Sequence, residues 1–407
     1  MKAGWQVKKL GEVCKTVQDG AHQSPQRQFD APGVGRFLYI TSKNIRNNHL
    51  DLSNVSYVGR EFHDQIFPHC QPRLGDVLLT KDGANTGNVT LNTIAEPFSL
   101  LSSVCLIKTD PTALTSGFLC YYLQSPRGLS RIIGEMTGAA IKRIVLRDIK
   151  RATIPFPSLA EQRRIVGILD EAFDGIATAK ANAEKNHQNA RALFESHLQA
   201  VFTQRGERWT EKPLGDLATF RNGINYTKGS KGERVKIVGV KDFQKSYWVP
   251  SQNLDTVTID GELSELDVLK QNDILAVRSN GNPELIGRCI LAKEVSDRIS
   301  HSGFTIRIRL SAGEVLPEYI CHFMKCTSSR KQLTEGGTGI NIKSLNQQTL
   351  SALRVPYPSI SRQRSLVARL ESLSTETQRL ESIYQQKLAA LDALKKSLLD
   401  QAFTGLL

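Results

Sequence analysis

Two polar stretches of this chain are dense in side chains able to read or grip a nucleic acid. Residues 19–28 read Asp-Gly-Ala-His-Gln-Ser-Pro-Gln-Arg-Gln, and residues 221–228 read Arg-Asn-Gly-Ile-Asn-Tyr-Thr-Lys. Gln and Asn amides match the donor–acceptor pair on adenine, and Arg and Lys match guanine. His22, Gln23 and Arg27 are the candidate readers in the first stretch, and Asn225, Tyr226 and Lys228 in the second. His22 fits equally well as a structural histidine beside a turn at Gly20. A second set lies in two shorter loops. Residues 41–44 (Thr-Ser-Lys-Asn) correspond to 239–242 (Gly-Val-Lys-Asp), and residues 80–85 (Thr-Lys-Asp-Gly-Ala-Asn) to 277–282 (Val-Arg-Ser-Asn-Gly-Asn). A cation therefore recurs at two loop positions, as Lys43/Lys241 and Lys81/Arg278, with Asn44, Asn85 and Asn280 as polar neighbours. Such a cation suits a phosphate contact, which needs charge and carries no base information; a scaffold ion pair is the other reading.

Signatures of catalysis are missing. Gly336-Gly337-Thr338-Gly339 lacks the Lys-Ser/Thr that completes a phosphate loop, and Gly33-Val34-Gly35 lacks the third glycine of a dinucleotide fingerprint. Ile154-Pro155-Phe156-Pro157 is not the Asp/Asn-Pro-Pro-aromatic tetrapeptide with which amino-methyltransferases hold a flipped base. No zinc-protease or nucleophile-elbow motif occurs. Cys321 and Cys326 flank His322, but no second cluster accompanies them, so buried reduced thiols are expected rather than a metal site. Seven cysteines without paired spacing argue against a disulfide framework.

A net charge of +13 points to a polyanionic partner, with DNA or RNA first, although charge alone does not separate these from anionic lipid. No run approaches the roughly 18 to 20 apolar residues of a membrane span. The opening residues Met1-Lys2-Ala3-Gly4-Trp5 lack a signal-peptide core, so a cytoplasmic location is expected.

These loops are positioned by a duplicated scaffold. Ile154-Pro155-Phe156-Pro157-Ser158 returns as Val355-Pro356-Tyr357-Pro358-Ser359, Gln162-Arg163 as Gln363-Arg364, and Phe202-Thr203 as Phe403-Thr404, a constant shift of 201. This shift holds from Thr137/Thr338 to Thr203/Thr404, and the repeat itself begins at Trp5 and Trp209. So long a period makes each copy a domain plus an arm, unlike a solenoid unit. Within each copy, 37–40 and 235–238, 75–79 and 272–276, and 104–107 and 305–308 are expected as strands. Residues 118–124 and 319–325 are expected as short helices. The fold class is α/β (α+β), with strands dominating. The boundaries are 1–157 and 206–358 for two similar strand-rich domains, and 158–205 and 359–407 for two long helices.

The Pro-x-Pro tetrapeptides are expected to block helix and sheet continuation at the end of each domain, and Ser158 and Ser359 to cap the arms, with Ser361 as the other candidate in the second copy. About 44 residues from Leu159 without proline make an arm of roughly 65 Å. Its heptad seam runs Ile165, Leu169, Ala172, Ile176, Ala179, Ala183, Asn186, Ala190, Leu193, His197, Ala200. The second arm offers Leu366, Leu370, Leu373, Thr377, Leu380, Tyr384, Lys387, Leu391, Leu394, Leu398, Gln401. A sustained 3.5 period predicts a coiled coil. Small side chains on one arm and large ones on the other predict that the two pack together, and pseudo-twofold symmetry requires them to be antiparallel. Asn186 and Lys387 either fix the register or sit on the surface of a rotated seam.

Taken together, residues 19–25 (Asp-Gly-Ala-His-Gln-Ser-Pro), 75–83 (Gly-Asp-Val-Leu-Leu-Thr-Lys-Asp-Gly) and 237–243 (Ile-Val-Gly-Val-Lys-Asp-Phe), with the paired arm starts at 155–163 and 356–364, resemble the DNA-specificity subunit of type I restriction-modification systems. The resemblance spans essentially the whole chain. One departure is Ser361-Arg362, where the family has a glutamate before the glutamine; the first copy keeps Glu161. The resemblance implies a non-catalytic subunit with two target-recognition domains, each reading half of a split site in double-stranded DNA, joined by helices that set the spacer. It implies two modification subunits that carry S-adenosylmethionine and methylate adenine, and restriction subunits that use ATP and Mg, with no cofactor on this chain. Other readings are the specificity partner of a system whose second subunit both cuts and methylates, a fused enzyme, and a coiled-coil adaptor without nucleic acid.

Overall fold

The structure, a computed structural model, describes residues 4–133, 144–206, 208–243, 247–250, 252–295, 297–311, 313–335 and 344–407. The glycine-rich segment 336–339 and the Thr137/Thr338 start of the constant shift lie outside the described residues. The chain forms two units, Met1–Glu184 with Gln386–Leu407, and Lys185–Gln385.

In the first unit, a four-stranded sheet runs in the order Cys14–Asp19, Val104–Thr109, Val77–Thr80, Val89–Leu91. Val77–Thr80 is buried along its whole length, as an apolar run between two neighbours requires. A three-stranded sheet of Ser56–Gly59, Arg36–Ile40 and Ser99–Leu100 stands beside it. In the second unit the corresponding sheets are Ala218–Asn222, Thr305–Leu310, Ile274–Val277, Cys289–Leu291, and Asp255–Thr258, Arg234–Val238, Ile299–His301. The expected strand pairs are all present, and the short helices are Ser116–Gln124 and Pro317–Lys325.

The turn at 75–76 and 272–273 is scaffold shared by the two copies. Gly75 and Asn272 both take positive φ, at 84° and 72°, in a turn that the next residue closes. There Asp76 accepts from the Arg73 N–H and Asp273 from the Lys270 N–H, both at 2.7 Å. Each aspartate also holds a cation of the neighbouring strand, Lys108 at 2.5 Å and Arg309 at 2.7 Å. Cys321 and Cys326 lie in the second core, where Cys321 faces Cys289 at 3.8 Å and Cys326 faces Ser329 at 3.0 Å.

The Pro-x-Pro segments correct an expectation. Thr153–Phe156 and Arg354–Tyr357 are strands, each paired antiparallel with the strand that opens its copy, Gln6–Lys9 and Thr210–Pro213. A two-stranded ribbon leaves every strand one unpaired edge, where a residue without an N–H is tolerated.

The long helices are Leu159–Thr203 and Ile360–Thr404. Ser158 caps the first by accepting from the Glu161 N–H at 3.3 Å. The pair is antiparallel: Arg164 donates to the Leu407 carbonyl and Lys180 pairs with Asp392 in the first unit, while Arg191 pairs with Glu381 in the second. Ile165, Leu169, Ile176, Leu366 and Leu370 are buried as expected, as are the small members Ala183 and Ala190. Leu373, Leu380, Leu391 and Leu398 are half-buried. Four seam positions are not inward. Asn186 and Lys387 are exposed, and Leu193 and Leu394 are 60% and 46% exposed. Their C-terminal neighbours His187, Leu388, Phe194 and Lys395 turn inward instead. Asn186 and Lys387 are thus surface positions of a rotated seam, and an α-helix drifting ahead of a strict 3.5 repeat accounts for the one-residue step.

Candidate nucleic-acid interface

A tight turn is the hub of the candidate site in the first unit. Ser102 donates to the Ala21 carbonyl, Leu101 to that of Ile40, and Lys81 to that of Ser103, at 2.8 to 3.0 Å. The Ser103 hydroxyl accepts from the Ser42 N–H at 3.1 Å. The loops after Cys14–Asp19, Arg36–Ile40 and Val77–Thr80 therefore meet at residues 101–103. Gly20 is obligatory there, because a Cβ would lie 2.3 Å from the Leu100 carbonyl oxygen. Between the loops opens a cleft of about 380 Å³, lined by Ser24, Gln28, Lys43, Asp82, Gly83 and Ser103 among others.

The candidate residues of this unit separate by geometry. Gln23 and Arg27 are exposed, and the Arg27 guanidinium lies 4.7 Å from the Phe29 ring centre. Lys43 is exposed at the cleft, donates to the Ser56 hydroxyl at 3.1 Å, and has no acidic partner among the described residues. His22 is exposed with one ring nitrogen 3.7 Å from Asp19. Three others serve the scaffold. Lys81 is 2% exposed and ion-paired with Asp19 at 2.5 Å, so its charge is spent inside the protein. Asn44 is buried and bridges the Thr41 N–H to the Asp51 carbonyl. The Asn85 amide donates to the Ser42 carbonyl at 3.1 Å.

The second unit repeats the hub at residues 302–304. Gly303 donates to the Ile224 carbonyl, Ser302 to that of Val238, and Arg278 to that of Phe304, at 2.8 to 3.0 Å. Gly223 is confined as Gly20 is, with 2.2 Å between a would-be Cβ and the Ser302 oxygen. Asn225, Tyr226 and Lys228 are exposed, on a loop held by the Thr227 N–H to Ser230 hydroxyl bond at 3.0 Å. Lys241 is ion-paired with Asp255, and Asn280 accepts from the Asn282 N–H. Arg278 is half-buried without an acidic partner among the described residues. The two units thus exchange roles at their paired cations: the first leaves Lys43 unpaired and buries Lys81, and the second pairs Lys241 and leaves Arg278 unpaired. The hub turns themselves escaped sequence reasoning. The signal was there in the repeat, whose shift of 201 sets Ser103 against Phe304 just before the paired strands 104–107 and 305–308.

Comparison with known proteins agrees with this duplicated architecture. Residues 2–186 match the family described as "Type I restriction modification DNA specificity domain". The second copy repeats the first, and two relatives align through both. The specificity subunit of the type I restriction enzyme EcoKI of Escherichia coli K12 is 26% identical, over 99% of this chain and 89% of its own length. Residues 2–186 belong to the type I restriction-modification DNA specificity family. Another relative, the specificity subunit of the type I enzyme StySPI of Salmonella potsdam, is 24% identical over 90% of this chain and 81% of its own.

Solved structures share the fold of this type I specificity chain. One, from work on complex assembly and conformational transition of the type I restriction-modification system, has a TM-score of 0.76 at 17% identity and covers 99% of this chain and 98% of its own. The HsdS subunit of Thermoanaerobacter tengcongensis has a TM-score of 0.59 at 17% identity, covering 100% and 98%. The chain is the DNA specificity component of a type I system and is itself non-catalytic. Among the described residues no helix is long and apolar enough to cross a membrane.

Proposed function

We propose that this specificity subunit reads a split, asymmetric site in double-stranded DNA, one half with each recognition domain. The domains are residues 1–157 and 206–358, and the helical arms at 158–205 and 359–407 set the unread spacer. The carrying observation is the pair of hubs: matching backbone geometry presents dissimilar polar loops. A shared scaffold with different readers suits two different half-sites, because base contacts specify while the frame only positions. His22, Gln23, Arg27 and Lys43 are the contact set of the first domain; Asn225, Tyr226, Lys228 and Arg278 are that of the second. Lys81, Asn44 and Asn85 hold the first set in place, and Asn280 and Lys241 brace the second.

The partners are two modification subunits, which supply S-adenosylmethionine for adenine methylation, and restriction subunits that use ATP and Mg, all in the cytoplasm. The test is methylome sequencing of a methylation-free host expressing this chain with its modification subunit, beside the same host lacking the chain. A bipartite, non-palindromic methyladenine motif that depends on this chain is expected. An assembled complex that methylates no new motif would refute the proposal.

A further inference from the structure

We propose that Phe304 is a base reader of the second recognition domain, making an apolar contact with the 5-methyl group of a thymine in its half-site. This rests on the DNA-reading function proposed above. Phe304 is 61% exposed, joins none of the apolar clusters and makes no aromatic pair among the described residues. Folding therefore leaves most of its ring in water, yet its backbone is tightly held. The Phe304 N–H donates to the Ser302 hydroxyl at 3.3 Å, and its carbonyl accepts from the Arg278 and Ser279 N–H groups at 2.8 and 3.3 Å. The Thr305 N–H and hydroxyl both donate to the Ser302 carbonyl, at 2.8 and 2.7 Å, which closes the turn. A rigid turn presents a side chain at low entropic cost on binding.

The position is the centre of the candidate interface. Asn225 lies directly against Gly303, since a Cβ there would be 2.1 Å from its amide oxygen, and the Arg278 N–H is bonded to Phe304 itself. In the first unit the equivalent residue is Ser103, whose hydroxyl accepts from Ser42 and so holds a loop. The second copy thus has, at the point where its loops converge, a phenyl ring that holds nothing. A side chain at the hub that neither packs nor bonds, on a backbone held this firmly, and that faces solvent behaves as a reader. On the major-groove edges of the base pairs the thymine methyl is the apolar group, and a phenyl ring complements it.

The experiment uses the assembled complex of this chain with its modification subunits. Competition binding is measured with duplexes in which each thymine of the second half-site is replaced in turn by deoxyuridine, which lacks only that methyl. One replacement is expected to weaken the wild-type complex about fivefold and to leave a Phe304→Ala complex unaffected. Phe304→Ala should bind the natural site about fivefold more weakly, with an unchanged salt dependence because no charge is lost. Phe304→Leu should keep the deoxyuridine sensitivity, and melting curves confirm that both variants fold. A wild-type complex with a split site whose Phe304→Ala variant binds within twofold overturns the assignment alone. So does a second half-site without thymine, or a loss that is blind to deoxyuridine, which indicates a wedge between base steps. A wild-type complex without sequence preference overturns the DNA-reading function and the assignment with it.

Discussion

Burial sets the charge state of two histidines in the second unit. His301 and His322 have no exposed surface, and burial holds both at about 3, helped by Arg307 beside the first and Lys325 beside the second. An unfolded chain would protonate each near the usual value of about 6.5, whereas the folded chain keeps them neutral down to about 3. Their contribution is therefore intact above about pH 6.5 and is lost as pH falls through the window down to about 3, by roughly 1.4 kcal/mol per pH unit for each histidine. Melting temperatures of wild type and a His301→Gln, His322→Gln variant, taken from about pH 7 to about pH 5, should show a steeper fall in wild type; parallel curves would contradict it. The candidate readers were only partly legible at this scale. Residue type identified the exposed Gln23, Arg27, Asn225 and Lys228, but Lys81 and Arg278 look alike in sequence and differ in fate. The acid that neutralises Lys81 is Asp19, on a strand remote in sequence, and no local pattern announces it.

Paired glutamines show how an element is locked to its domain. Gln162 donates to the Ala113 and Pro157 carbonyls and accepts from the Thr115 N–H; Gln363 does the same with Glu314, Pro358 and Leu316. Both are wholly buried, so the repeated glutamine of the arms is a clamp. Along the arms, Leu169→Ala should destabilise the first unit by about 2 to 5 kcal/mol, and Leu193→Ala should change stability by no more than about 0.5 kcal/mol. Denaturant titration separates the two, and equal losses would show that Leu193 is packed. Strands were legible because their apolar runs are bounded by turn residues and occur twice. The ribbon strands at Pro155 and Pro356 were not, because proline's rule against sheets relaxes at an open edge. The seam was legible at Ala183 and Ala190 but stepped by one residue at Asn186, Leu193, Lys387 and Leu394, because a heptad written on sequence ignores the true helical period.

At the scale of the molecule, the proposed spacer role makes arm length a determinant of the DNA site. One heptad inserted at matching points in both arms keeps the seam in register and adds about 10 Å, or about three base pairs at 3.4 Å each. The methylated motif should keep both half-sites and gain a longer spacer; an unchanged motif from an assembled complex would remove the ruler role. The division of the chain has a separate consequence. The second unit is one continuous stretch, Lys185–Gln385, whereas the first draws on residues 386–407 as well. Phe403 packs edge-on against Phe118 and Tyr122 in the first core, as Phe202 does against Tyr319 and Phe323 in the second. During synthesis, therefore, the unit whose residues leave the ribosome first is the last to be completed. Its core stays open until residue 403 has been made, while the second has already received every residue it needs. A stop between codons 386 and 403 would strike the unit whose other residues are encoded before codon 185.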